Sequence, residues 1–153
     1  MTESKMKINF TKKEFSSLLD MLDIADWIIT AHKVEDDPRD KPYMDVLQKF
    51  YAHAADFGCE EKIKYDKDLN AYYPTNFFEM DSPHRNYISE YDENNFWGDL
   101  IDRLAIRDSI DEIGEEAFYD TDRSKQFSAM CKHEEKWANE FSEHHLKNIS
   151  IKK

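Results

Sequence analysis

Apolar positions recur at helical spacing over most of the chain, and the places where that recurrence lapses divide it into predicted elements. Phe15, Leu18, Leu19, Leu22, Ala25 and Ile29 fall on one helix face, three or four residues apart as 3.6 residues per turn requires. Ahead of them, Thr11-Lys12-Lys13-Glu14 is a capping box with Thr11 as N-cap and Glu14 at N3, and Phe10 and Phe15 are placed as a hydrophobic staple. The spacing predicts a helix from Thr11 to about Lys33, stopped at Glu35-Asp36-Asp37-Pro38 because proline cannot donate to the ladder. A second predicted helix spans about Pro42 to Phe57. Asp40 is its cap, Gly58 its C′ residue, and Leu47, Phe50, Tyr51, Ala54 and Phe57 its stripe.

From 59 to 81 the helical period lapses into an irregular, aromatic-rich loop. Within it, Ile63-Lys64-Tyr65 and Ala71-Tyr72-Tyr73 suit short strands around the turn-like Asp66-Lys67-Asp68. A loop of this length either packs as a lid over the core or offers a partner surface. Ser82-Pro83 starts a predicted short helix through Glu90, and Asp92 then caps a long one to about Ile113, with Gly114 at its end. The stripe of that helix is Phe96, Trp97, Leu100, Ile101 and Leu104. A last helix runs from about Thr121 to His145, with Phe127, Met130, Trp137, Ala138 and Phe141 inward. Both chain ends alternate polar and apolar residues, Lys7-Ile8-Asn9-Phe10 and Asn148-Ile149-Ser150-Ile151. That alternation predicts a basic two-stranded ribbon joining them. The expected fold is therefore mainly α: one domain over 1–153, a four- to five-helix bundle with a small β-ribbon formed by the chain ends.

Composition places this pattern among ordered chains. Low mean hydropathy (−0.86) and a net charge of −12 favour disorder, but 21 aromatic residues in 153 supply large apolar surfaces to bury. The charge is uneven. Residues 1–13 and 147–153 each carry +3, so the body between them carries −18. An acidic body disfavours nucleic-acid binding, which uses Lys and Arg to displace counterions from phosphates, and it disfavours anionic membrane surfaces. Cys59 and Cys131 fit no disulfide framework. With no secretory leader or apolar span, they point to a cytoplasmic protein.

Some acids fall on apolar faces. Asp26 lies among Leu19, Leu22 and Ile29; Asp108 lies near Leu104 and Ile101; Glu134 lies among Phe127, Cys131, Ala138 and Phe141. A carboxylate facing inward must be paired, hydrogen-bonded, protonated or metal-bound. Three arrangements meet that demand. The leading one is a buried polar network in which Arg103 or Arg107 bridges Asp26, Asp108 or Glu134, with a Trp or Tyr donating as well. The next is a partly open groove in which the acids receive a cationic or polar group. The third is a divalent-metal site in a bundle, with His133, Glu140 and His144 as candidate ligands at i, i+7 and i+11. That last set lacks the Glu-x-x-His spacing of di-iron bundles.

Catalytic templates fit poorly. The chain has three glycines and no phosphate loop, no G-x-S-x-G, no H-E-x-x-H and no paired C-x-x-C. Residues 90–122 hold twelve acids, which raises a DNA-mimic inhibitor as a lesser alternative, but Arg103 and Arg107 interrupt the row. The expectation is a non-enzymatic protein–protein interaction module without a cofactor. Its partner is a protein with a basic surface or a second copy of itself. The alternative is a metal- or small-ligand-binding bundle that uses the inward carboxylates and a nearby His.

Overall fold

The computed structural model describes residues 7–119 and 123–150. The fold is mainly helical, with a small two-stranded antiparallel sheet. Its elements in order are α1 (Lys12–Thr30), α2 (Lys41–Tyr51), β1 (Ile63–Asp66), β2 (Ala71–Pro74), α3 (Asn76–Met80), α4 (Arg85–Ile113), α5 (Glu115–Phe118) and α6 (Arg123–His144). The chain divides into two compact units, Met1–Ser89 and Glu90–Lys153.

In the first unit the capping box forms as the sequence prescribes. The Glu14 carboxylate accepts from the Thr11 backbone N–H at 2.8 Å, and the Thr11 hydroxyl oxygen accepts from Glu14 N–H at 3.3 Å. The staple closes too, with the Phe10 and Phe15 rings edge-on at 6.2 Å. Phe15 then stacks on Phe57 at 4.1 Å. The core is Phe15, Leu19, Leu47, Tyr51, Ala54, Cys59, Ile63 and Phe78, with Leu18, Leu22, Met44, Phe50 and Tyr72 packed against it. Asp40 makes no capping hydrogen bond to α2; its carboxylate takes the Lys33 ammonium at 2.6 Å instead. Gly58 closes the turn after α2 at φ +70°, a left-handed conformation that glycine adopts without steric cost.

The hairpin lies at residues 63–74, with Lys64 opposite Tyr73 and Tyr65 opposite Tyr72. This corrects the expected position of the ribbon, since Lys7–Phe10 and residues 149–150 form no strand and Ile151 lies outside the described residues. The physical reason is local closure. The Asp66 carboxylate accepts from the backbone N–H groups of Asp68 and Leu69, and Asn70 takes positive φ. A four-residue turn closes at far less entropic cost than a pairing of the two chain ends. On the free edge of β2 the Gln48 amide imitates a strand. It donates to Tyr72 O at 2.7 Å and accepts from Tyr72 N–H at 2.9 Å, fixing the hairpin to α2.

The predicted break between a short helix and a longer one at Asp92 does not occur, because no Gly or Pro interrupts Glu90-Tyr91-Asp92-Glu93 and α4 runs through. In the second unit the inward positions are small or polar: Ala105 and Ser109 from α4, Ala129 and His133 from α6, joined by Phe118 and Phe141. Trp137 packs on Phe141 at 5.4 Å. Phe127, expected inward, is 72% exposed. It stands two residues before Ala129, about 200° around the helix, and so faces away from the Ala129–His133–Phe141 side. The expected start of this helix at Thr121 lies outside the described residues.

The α1 cap gives the first test. Replacing Thr11 by Ala removes the acceptor for Glu14 N–H and lowers stability by about 1 kcal/mol, measured by urea unfolding.

Candidate functional site

Three acids on α1, Asp20, Asp23 and Asp26, follow one another at three-residue steps, and their surroundings differ sharply. Asp20 takes the Lys62 ammonium at 2.6 Å. Asp23 is 5% exposed. Its Oδ2 accepts from His84 Nε2 at 2.7 Å and from an Arg85 guanidinium N–H at 3.1 Å. The other ring nitrogen of His84 is 3.0 Å from the Ser82 hydroxyl, and Phe78 covers the imidazole at 4.5 Å. Ser82, His84 and Asp23 thus form a hydrogen-bonded line with the order of a nucleophile, a base and an acid. Ser82 and His84 are each 4% exposed, so a substrate has no approach to the hydroxyl. The line is a structural tie between α1 and the turn before α4.

Asp26 is the exception in the series. Its Oδ1 is buried and has no hydrogen-bond partner. Burial pushes its carboxyl above the ordinary range, and the charges of Asp23 and Asp40 push the same way. Asp26 stands in the wall between two hollows. On one side is an apolar groove of about 130 Å³ between α1 and α2, with Leu22, Ile29, Tyr43 and Leu47. On the other is a cleft of about 370 Å³ whose lining includes Asp26, Trp27, Tyr73, Glu79 and Arg85. Beneath these acids, Tyr51 is 1% exposed and its hydroxyl has no partner. Burial raises its pKa, and the charges of Asp23, Asp26 and Glu79 add to that. Two neighbouring polar groups are therefore desolvated and unsatisfied, each at a cost of about 1–3 kcal/mol.

A larger hollow of about 590 Å³ lies beside the end of α1, lined by Lys33, Asp37 and Asp40 among others. Its size does not make it the better site. Lys33 already neutralises Asp40 at 2.6 Å and Asp37 at 3.5 Å, and Arg39 holds Asp37 at 2.6 Å.

The remaining candidates from the sequence belong to the second unit. Asp108 gathers three donors: the Arg107 guanidinium at 2.6 Å, the Lys136 ammonium at 2.9 Å and Trp137 Nε1 at 2.9 Å. Burial opposes its ionisation, but the three donors outweigh burial and hold its pKa down at about 2. Arg107 thus meets Asp108. Arg103 is exposed and Glu134 half-buried, and neither makes a side-chain hydrogen bond or ion pair among the described residues. His133, Glu140 and His144 do not converge. His133 Nε2 is 2.8 Å from Glu112, Glu140 accepts from the Asn148 amide at 2.6 Å, and His144 is 3.6 Å from Glu143. Among the described residues no three His, Cys, Asp or Glu side chains are grouped to hold a metal ion.

Sequence reasoning passed over Asp23, Ser82, His84 and Glu112. Asp23 carried a signal, since it continues the Phe15–Leu19 line at i+4 and i+8. Ser82 and His84 carried none, because they sit in an aperiodic turn.

Family models, curated proteins and solved structures were all compared with the chain. None matches.

Two outcomes follow from these networks. His84→Ala leaves the buried Asp23 carboxylate with Arg85 alone and lowers the unfolding free energy by about 2–3 kcal/mol, read from urea unfolding. Asp108 has a folded pKa of about 2, below its ordinary value of 3.8. Its stabilisation is therefore present above pH 3.8 and fades as the pH falls towards 2. Asp108→Asn costs about 1 kcal/mol at neutral pH, allowing for solvent around Lys136 and Arg107. The difference between variant and parent closes across that acid window in thermal melts.

Proposed function

We propose that the protein is a non-enzymatic protein–protein interaction module that docks a basic segment of its partner on the first unit. One observation carries this reading: the cleft beside Asp26 combines unneutralised carboxylates with partly exposed aromatic side chains. Asp26 and Glu79 make no side-chain hydrogen bond or ion pair among the described residues. Trp27 and Tyr73 line the same cleft and are 37% and 40% exposed. Phe77 and Met80, on α3, are exposed as well. Carboxylates attract a cationic segment and orient it, while aromatic surface supplies the area for affinity.

The body charge of −18 extends that attraction over longer range and speeds encounter with a basic partner. It also opposes self-association, which makes a basic partner the better choice of the two. A direct role in nucleic-acid binding is disfavoured for the same electrostatic reason. Among the described residues no helix is long and apolar enough to cross a membrane. Two free cysteines, Cys59 buried and Cys131 exposed, suit a reducing compartment such as the cytoplasm.

Fluorescence anisotropy with a short labelled peptide rich in lysine, arginine and leucine tests the reading. The intact protein is expected to bind at low salt. Asp26→Asn combined with Glu79→Gln is expected to weaken binding about tenfold, the size of one or two charge-assisted contacts. Asp99→Asn with Asp102→Asn, which removes the same charge from the second unit, leaves binding close to the parent. Equal losses in the two double variants would reduce the attraction to net charge and remove the cleft from the argument.

A further inference from the structure

We infer that the cleft is selective for arginine: it receives the guanidinium of an arginine side chain from the partner, next to the guanidinium of Arg85. This inference rests on the docking reading above and names the group that is read. The argument starts from what the protein does with its own arginine. Arg85 lies over the Trp27 ring at 4.5 Å while one of its N–H groups donates to Asp23 at 3.1 Å. An aromatic face and a carboxylate together hold a planar cation, which a guanidinium does better than an ammonium because it is more weakly hydrated and stacks.

The same cleft contains a second set of those parts with nothing in it. The Tyr73 ring is open, and the carboxylates of Asp26 and Glu79 carry no cation among the described residues. Asp26 Oδ1 is desolvated without a donor. A guanidinium has five N–H donors in a fixed fork. It can therefore donate to the carboxylates of Asp26 and Glu79 while its flat face lies on the Tyr73 ring. An ammonium has no flat face to stack on a ring and keeps more of its water. A cleft of about 370 Å³ open to solvent leaves room for the side chain to enter beside Arg85 without displacing it.

Three blocked peptides that differ only at a central residue between glycines distinguish the possibilities, the residue being arginine, lysine or citrulline. Citrulline keeps the shape of arginine and removes its charge. The three tryptophans give three indole N–H resonances, so nuclear magnetic resonance reports the site as well as the affinity. The arginine peptide is expected to shift the Trp27 resonance and leave those of Trp97 and Trp137 in place. It should bind several-fold more tightly than the lysine peptide, and the citrulline peptide should not bind measurably. Asp26→Asn should weaken the arginine peptide about tenfold; circular dichroism on that variant separates loss of binding from loss of fold. Equal binding of the arginine and lysine peptides overturns the inference while leaving a basic docking site in place. Binding that shifts Trp97 or Trp137 but not Trp27 overturns it too. If none of the peptides binds, and the longer basic peptide also fails, the docking reading itself falls.

Discussion

The first unit is organised around one desolvated charge, the Asp23 carboxylate. A lone carboxylate moved out of water costs several kcal/mol, so an α1 that buries Asp23 must bring donors to it from elsewhere in the chain. His84 and Arg85 meet that demand from a position 61 and 62 residues further along. In doing so they fix the Ser82–His84 turn against α1. That placement brings Arg85 onto Trp27 and puts Phe78 over the His84 ring. The cleft is a by-product of this tie. Its walls are α1 on one side and the end of β2 with α3 on the other, both held where the Asp23 network requires.

Charge along α1 then explains why the proposed docking centres on Asp26. Asp20 has Lys62, and Asp23 has His84 and Arg85. Asp26 is next in the series, and the supply of internal cations ends before it. Lys33 is spent on Asp37 and Asp40. What remains is a half-buried carboxylate whose ionisation is opposed by burial and by the charge of Asp23. Folding alone would be better served by an uncharged residue there. A group that is costly in the free protein and useful only when a cation arrives is a reasonable mark of a recognition site.

Much of this fold is legible in the sequence where two signals coincide. The start of α1 is one such place, because the capping box, the staple and the apolar stripe all begin within six residues of each other. The hairpin is another, since strand-forming runs flank an Asp-rich turn. The chain-end ribbon had alternation alone, over four residues at each end, and no turn to close it. The site was legible only in part. Asp26 stands out because it follows Leu19 and Leu22 at helical spacing, but Asp23 shares a line with Phe15 and Leu19, and spacing cannot decide which of two acids will be buried. The decision is made by His84 and Ser82, whose pairing with α1 depends on long-range packing. Periodicity carries no information about such partners.

The second unit shows what a fully satisfied acid looks like, and the contrast supports Asp26 as the carboxylate of the proposed docking site. Asp108 and Asp26 both sit at the edge of an apolar helix face, and neither is fully buried. Asp108 is met by a guanidinium, an ammonium and an indole N–H from α4 and α6. These donors overcome its desolvation and keep it ionised far into acid. Its hydrogen-bonding capacity is spent, and a ligand cation would have to displace a partner already in place. Asp26 is desolvated without such donors, so an incoming cation has no protein partner to displace there. Of the two carboxylates, the one that folding leaves unsatisfied is therefore the one from which binding free energy can be drawn.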